Sequence, residues 1–183
     1  MKNDEKTHGA LKIQRLRKET AMPKRATEGS AGLDLQAMVD VPMTLLPGQL
    51  IRVPTGLAVE LPTANMVGLV FGRSGLGVKH GVALSNGVGV IDSDYRGEIQ
   101  VGLCNHSDKP YAIQPGERVA QLVVVPVCAL PVEEVDALCE TERGQGGFGS
   151  TGQAELASVS RGEREKEQLP PADGDFPDNK VNL

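Results

Sequence analysis

The chain has 183 residues with a mass of 19.4 kDa, a net charge of −5 at pH 7, 39% hydrophobic residues and only 3% aromatic residues. This length predicts one domain with tails, and the acidic balance argues against a nucleic-acid surface, because binding a phosphate backbone requires clustered Lys and Arg. Its three cysteines lack the spacing of a disulfide framework or a zinc site, and no apolar run is long enough to span a membrane, which predicts a cytoplasmic protein.

Short strands separated by proline and glycine turns are predicted for the first half of the chain. Residues 1–9 are polar and are expected to be flexible, and the folded domain is expected to span residues 10–140. Pro47, Pro54 and Pro62 rule out a helix through this region, because proline lacks a backbone N–H. With so few aromatic residues, the core must consist mainly of aliphatic side chains. The predicted strands in this half are residues 11–16, 29–37, 49–53, 56–61 and 66–71.

Two polar features interrupt these apolar strands. Asp34 lies between two leucines, and strict alternation places it on the opposite face, either as an exposed residue or as a functional carboxylate. Residues 72–77 break the strand pattern and predict a loop that leads into a short helical turn. Backbone N–H groups, Arg73 and the Ser74 hydroxyl would form a compact anion site there. The alternative is a capped turn that carries an exposed arginine.

The stretch NGVGVIDSDYRG, residues 86–97, predicts a β-hairpin with its turn near residues 92–96. Its glycines would let a planar ligand approach the backbone groups of the strand edge, and Asn86 adds an amide that both donates and accepts. At the turn, the Asp92 carboxylate is suited to orient a water and the Tyr95 ring to lie against a sugar. The alternative is ordinary turn chemistry, since Asp side chains bond nearby backbone groups in turns.

The C-terminal part combines an apolar strand with a glycine-rich segment. Residues 118–126 predict an interior strand whose one polar side chain, Gln121, either satisfies a backbone group or faces a ligand. Residues 141–152 contain formal dinucleotide and P-loop glycine patterns, but no helix pattern follows and Ser150 occupies the position of the P-loop lysine. We expect a mobile lid here that orders on a ligand, followed by a disordered tail over residues 153–183. The side chains of the lid suited to a nucleotide are Arg143, Phe148, Ser150 and Thr151.

Taken together, five segments between residues 31 and 152 resemble, in order, the five motifs of the trimeric dUTP pyrophosphatase (dUTPase) family. They are the strands that carry Asp34 and Gln121, the loop at Arg73, the stretch 86–97 and the glycine-rich lid. The resemblance implies an all-β, jelly-roll-like barrel that assembles as a homotrimer with shared active sites. It also implies hydrolysis of dUTP to dUMP and pyrophosphate with Mg²⁺ as cofactor, which keeps uracil out of DNA and supplies dUMP for thymidylate synthesis.

The resemblance implies a role for each residue that matches a motif. Asp92 is expected to activate the water that attacks the α-phosphorus, and Asp34 to support Mg²⁺ indirectly, through water. The implied contacts to base and sugar are Asn86, Gly89, Val90, Ile91, Tyr95 and Phe148. The implied contacts to phosphate are Arg73, Ser74, Gly75, Gln121, Arg143, Gly147, Ser150 and Thr151.

The chain departs from the family pattern at a few positions, and two other functions stay open. Leu33 replaces a residue that is more often aromatic, and Gly72 replaces a common proline, so the phosphate loop is expected to be less rigid before substrate binds. Because dCTP deaminases share the fold class, a cytosine-reading or bifunctional enzyme is one alternative. The other is a regulator whose dUTP-bound state engages a protein partner through residues 153–183, a tail beyond the usual end of the family's chains.

Overall fold

The structure is a computed structural model that describes residues 9–146 of the chain. It divides into two compact units, residues 1–132 and residues 133–183, and each is described by itself. The described part of the second unit, residues 133–146, contains no helix or strand. The predicted flexible N-terminus lies outside the described residues apart from its last residue, and the predicted tail lies wholly outside them.

Short β-strands make up most of the regular structure of the first unit, which confirms the prediction of an all-β domain. Eleven strands and one helix lie within residues 9–132. No helix among the described residues has the length and apolar character needed to cross a membrane. The elements are β1 Lys12–Arg15, β2 Leu33–Gln36, β3 Met43–Leu45, β4 Leu50–Pro54, β5 Leu57–Glu60, β6 Met66–Gly72, α1 Ser74–His80, β7 Val82–Leu84, β8 Gly89–Ile91, β9 Gln100–Asn105, β10 Tyr111–Ile113 and β11 Arg118–Pro126.

The strands pair antiparallel and enclose an aliphatic core. One sheet has the strand order β2-β11-β6-β8 and a second has the order β4-β9-β7, while β1 pairs with β5 and β3 with β10. Full burial stabilises the fold by about 1.5–3 kcal/mol for each large aliphatic side chain. The most buried of these side chains are Leu35, Leu45, Val53, Leu57, Val82, Ile99, Val101, Leu103, Ile113, Val119 and Leu122.

The hairpin predicted over residues 86–97 is wrong in its strand pairing, although its turn is present. β8 pairs with β6, whereas β9 pairs with β4 and β7. The Tyr95 N–H donates to the Asp92 carbonyl at 3.2 Å, which closes the turn, but the chain does not return along β8. Instead, the Ile99 N–H donates to the Leu57 carbonyl at 2.8 Å and directs the chain towards β5. The local sequence pattern predicted that the chain would return along β8 as a hairpin, but a hydrogen bond to a residue distant in sequence directs it elsewhere.

A sharper reversal lies upstream, between β7 and β8. Residues 85–88 form it, with Gly87 at φ 71°, a left-handed conformation that favours glycine. The two strands that flank this reversal do not pair with each other among the described residues, because β7 is the edge of one sheet and β8 is the edge of the other. Consecutive strands thus present two separate edges on either side of the tight turn that contains Asn86.

Candidate active site

Three neighbouring strands bring several of the predicted phosphate residues together. In the pairing of β11 with its two neighbours, Gln121 lies opposite Asp34 on one side and opposite Phe71 on the other. The Gln121 amide donates from Nε2 to the Gly72 carbonyl at 3.1 Å, so it satisfies a backbone group beside the phosphate loop. A Cβ on Gly32 would lie 2.5 Å from Gln121 Oε1, so a larger residue there would displace the amide from this position.

Asp34 is at the centre of an ion-pair cluster and is not a surface residue. Its side chain is only 15% exposed. Its Oδ1 pairs with the guanidinium of Arg73, and its Oδ2 accepts from Nη1 of Arg118 at 3.1 Å. Asp34 and Arg73, both predicted at the phosphate end of the site, therefore lie in contact. The sequence did not predict Arg118, and the cluster of two guanidinium groups and one carboxylate carries a net positive charge suited to an anion.

The predicted loop and helical turn after β6 is confirmed as helix α1. Arg73 is the N-cap residue with extended backbone angles, φ −102° and ψ 132°, and its side chain makes no capping hydrogen bond. The helix ends at Gly81, whose left-handed φ of 66° lets its N–H bond back to the last turn. Ser74 and Gly75 are exposed in the first turn, where backbone N–H groups lack intrahelical partners, so both can meet a phosphate oxygen.

The predicted base-binding residues lie along the edge strand β8 and the turn before it. Gly89 packs closely on the strand beneath, since a Cβ there would lie 3.0 Å from the Cβ of Val70 and 3.9 Å from Nδ2 of Asn86. Val90 points outward with 59% of its surface exposed, and Ile91 is partly buried against the core. The outer edge of β8 and the Asn86 amide thus lie side by side, as hydrogen-bonding groups for a planar ligand.

Asp92 and Tyr95 lie at the far end of this edge, in a turn that is closed by other groups. Arg96 donates from Nη1 to the carbonyls of Ser93 and Tyr95, at 2.8 and 3.0 Å. Within the described residues, the Asp92 carboxylate accepts no hydrogen bond, and the residue is exposed. Ordinary turn chemistry, in which the Asp side chain holds the turn, is therefore not what fixes this segment. The carboxylate is free to meet a water.

The Tyr95 ring is held in one position by its neighbours. Its hydroxyl donates to the Glu98 carbonyl at 2.9 Å, and the ring lies over Gly97, where an added Cβ would be 2.6 Å from Tyr95 Cζ. The side chain still exposes 43% of its surface. A rigid and exposed aromatic face therefore lies three residues from the Asp92 carboxylate.

The structure does not bring Asp92 together with the phosphate loop of the same chain. Ile91 lies opposite Gly68 in the pairing of β8 with β6, whereas Arg73 follows Gly72 at the other end of β6. Gly72 lies four positions after Gly68, which corresponds to about 13 Å along a strand. Reacting atoms must approach to about 3–3.5 Å. Within one chain, Asp92 and Arg73 therefore follow opposite ends of the β6–β8 pairing and do not lie side by side.

The predicted lid falls largely outside the described residues. Gly147, Phe148, Ser150 and Thr151 all lie beyond Gly146, the last residue that the structure describes. Of the predicted lid contacts, only Arg143 is described, in the second unit, where its Nε donates to the Gly146 carbonyl at 2.9 Å. The same turn is closed by the Gly146 N–H, which donates to the Arg143 carbonyl at 3.0 Å.

Comparison with known proteins identifies the family. The dUTPase family model matches residues 18–152. The deoxyuridine 5'-triphosphate nucleotidohydrolase of Desulfitobacterium hafniense (strain DSM 10664 / DCB-2) is 53% identical over 144 residues, which cover 78% of this chain and 95% of that protein. The Aeromonas salmonicida (strain A449) protein of the same name is 49% identical over 138 residues, covering 75% and 91% of the two chains. The structure of the Staphylococcus bacteriophage 80alpha dUTPase with dUPNHPP superimposes with a TM-score of 0.71 at 28% identity, covering 78% of this chain and 98% of the other. The chain therefore belongs to the dUTPase family.

Proposed function

We propose that the chain hydrolyses dUTP to dUMP and pyrophosphate in the cytoplasm, keeping uracil out of DNA and supplying dUMP for thymidylate synthesis. The observation that carries this proposal is the edge of β8, which ends in the exposed Asp92 carboxylate and the fixed ring of Tyr95. Family membership supports the same reaction. Phosphoryl transfer needs mainly positioning and charge neutralisation, and the carboxylates and guanidinium groups described above are suited to both.

The base is selected by the hydrogen-bonding groups of the β8 edge and Asn86. Uracil presents an acceptor, a donor and an acceptor along its pairing edge, and cytosine reverses part of this set. An edge matched to uracil would leave buried groups unpaired with cytosine, a mismatch that can reach about 10⁴–10⁵ in specificity. Thymine differs by one methyl group, and close packing of Gly89 on Val70 leaves this strand little freedom to move aside for it.

The sugar is selected by Tyr95, and its removal is expected to weaken the discrimination between dUTP and UTP. The ring is fixed by Gly97 and the Glu98 carbonyl, so it cannot move aside for a ribose 2′-hydroxyl. We expect Tyr95→Ala to lower the ratio of kcat/KM for dUTP over UTP by about ten- to hundredfold. Tyr95→Phe is the matched control, because it keeps the ring and should retain most of the ratio. An unchanged ratio in Tyr95→Ala would rule out this role.

A homotrimer with shared sites explains how Asp92 meets the phosphates. The pairing of β6 with β8 separates Asp92 from Arg73 within one chain, which supports a site completed by a second copy. Closed, symmetric assembly repeats such a contact at every interface and completes every site. In this arrangement one subunit supplies Asn86, Asp92 and Tyr95, while its neighbour supplies Asp34, Arg73 and Ser74.

Magnesium fits the site only together with substrate phosphate. Among the described residues no three His, Cys, Asp or Glu side chains converge on one point, and both Asp34 oxygens are already bound by guanidinium groups. Mg²⁺ commonly binds through substrate phosphates and retains several waters, so Asp34 would support the ion through water. When bound, the ion would neutralise charge on the triphosphate. Asp34 would hold the ion through water, and Arg73 and Ser74 would hold the phosphates to which the ion is bound.

The experiment that tests the function is a parallel assay of four nucleotides. We expect pyrophosphate release from dUTP with Mg²⁺, loss of that release with EDTA, and turnover of dCTP, dTTP and UTP lower by at least about 10²-fold. Ammonia release from dCTP would favour the deaminase alternative instead. Tight binding of dUTP without turnover would favour a regulator, whose partner contact through residues 153–183 stays a prediction.

A further inference from the structure

Arg118 is the one member of the ion-pair cluster around Asp34 that the proposed reaction leaves without a role. It is the first residue of β11, and its Nη1 lies 3.1 Å from Asp34 Oδ2, while Arg73 holds the other carboxylate oxygen. Its side chain is 52% exposed, compared with 15% for Asp34. Arg118 therefore reaches from the edge of the cluster to a carboxylate that is mostly withdrawn from water.

An irregularity in β11 places Arg118 on this face of the sheet. The pairing of β11 with β2 shifts by one residue between Arg118 and Ala120, and Val119 and Ala120 are both buried although they are consecutive. In an uninterrupted strand, side chains alternate, so Arg118 would share the buried face of Ala120. The extra residue moves it to the face of Gln121 and Asp34. Bulges that redirect a side chain in this manner are common beside active sites.

The charges of the cluster create a problem when substrate binds. Arg73 is the cation nearest the phosphate loop, but in the described state it is committed to Asp34. If Arg73 turned to a phosphate and no other cation were present, Asp34 would be left as an unpaired charge that is largely buried. Breaking such a pair by removing one partner is strongly unfavourable. A second cation on the other carboxylate oxygen removes most of that penalty.

We propose that Arg118 is a positioning residue, which holds and neutralises the Asp34 carboxylate so that Arg73 can transfer to the substrate triphosphate. This inference rests on the proposed function. Among the described side chains, Arg118 forms a hydrogen bond and ion pair only with Asp34, through a single nitrogen, and its assigned role is exerted through Asp34. Oδ1 of Asp34, vacated by Arg73, then becomes available to accept a hydrogen bond from a water bound near the phosphates.

The first test compares the binding of two ligands in three variants. The probes are dUMP and a dUTP analogue with an imido group in place of the α,β-bridging oxygen. We expect Arg118→Met to weaken the binding of the analogue by roughly ten- to hundredfold. The affinity for dUMP should change by less than about threefold, because dUMP lacks the outer phosphates to which Arg73 would transfer. Arg118→Lys should recover most of the affinity, since the contact uses one nitrogen. Arg52→Met is the matched control, because Arg52 is an exposed strand residue without an ion pair among the described side chains.

The second test is a double-mutant cycle with Asp34→Asn. A neutral Asn needs no counter-charge, so in the Asp34→Asn background Arg118→Met should weaken the binding of the analogue by less than about threefold. An undiminished loss would mean that Arg118 contacts phosphate directly, and it would overturn the proposal. Equal analogue affinity in wild type, Arg118→Met and Arg52→Met would overturn it as well. If the wild-type chain neither binds the analogue nor releases pyrophosphate from dUTP, the proposed function fails instead. If Arg118→Met does not fold, Arg118→Gln makes the same comparison, because it removes the charge and keeps a polar side chain, and wild-type affinity in that variant would overturn the proposal.

Discussion

Replacement of Asp92 by Asn is expected to lower the turnover of dUTP by about 10²–10⁴-fold while leaving the affinity for a non-hydrolysable analogue within about threefold of wild type. The carboxylate is exposed and accepts no hydrogen bond within the described residues, so its loss should not disturb the fold. The turn itself is held by Arg96 and by the Tyr95 N–H. Asn has the same shape but cannot take a proton from water. Single-turnover kinetics and equilibrium binding measure the two effects separately.

Asp94 provides the matched control for this prediction. It is a second exposed carboxylate in the same turn, two residues along, and it accepts no hydrogen bond among the described groups. We expect Asp94→Asn to retain turnover within about fivefold, since it removes the same charge without removing the proton acceptor. Equal losses in the two variants would indicate that the negative charge of the turn matters more than a base at position 92. Full turnover in Asp92→Asn would remove that residue from the reaction.

Two inactive variants are expected to restore activity to each other when they assemble together. Asp92→Asn removes the base, and Arg73→Met removes a phosphate contact at the opposite end of β6. When equal amounts of the two variants assemble at random, a site that takes Asp92 from one subunit and Arg73 from another is intact in about one case in four over all trimers, and in about one case in three in the trimers that contain both variants. The co-expressed mixture should therefore reach about a quarter of wild-type turnover, and the trimers isolated through two different affinity tags about a third, against about 1% or less for either variant alone.

The same experiment has an outcome that would contradict shared sites. If Asp92 and Arg73 served one site from the same chain, every site in a mixed trimer would carry one of the two defects. Turnover would then stay at the mean of the two parent variants. Each variant co-expressed with a second, differently tagged copy of itself is the control, because it passes through the same assembly without creating intact sites. Light scattering of the mixed species measures the number of subunits directly.

Strand positions could be predicted from sequence because they depend on local backbone chemistry. Prolines and glycines end β4, β5 and β6 close to the predicted positions. The break in the strand pattern at Gly72 correctly predicted helix α1. The pairing of the strands could not be read in the same way. The segment after Tyr95 has the local pattern of a returning strand, but the bond from Ile99 to Leu57 joins residues 42 positions apart and sends it elsewhere.

The residues of the candidate site also divide into those that local sequence predicts and those that depend on strand pairing. Asp34, Arg73 and Gln121 were predicted, and the structure brings them together, because each stands out as a polar group in an apolar or glycine-rich setting. Arg118 was missed, since it looks like an ordinary polar residue at the start of a strand. Its contact with Asp34 spans 84 positions and depends on a one-residue shift between β11 and β2. The hydrophobic pattern of β11 alone does not predict that shift, because the shift lies in the pairing with β2.

The separation of β7 and β8 between two sheets has an evolutionary consequence. No ladder of hydrogen bonds ties these strands to each other among the described residues, so their relative position depends on how the two sheets pack. Buried side chains that set this packing include Val70, beneath Gly89, and Leu84, at the end of β7. Under the proposed function, substitutions in this aliphatic interior can therefore shift the β8 edge and Asn86, which select the base, without touching the nucleotide. Selection for stability and selection for nucleotide selectivity therefore act on the same residues. Substitutions that accumulate in the core would change both properties together.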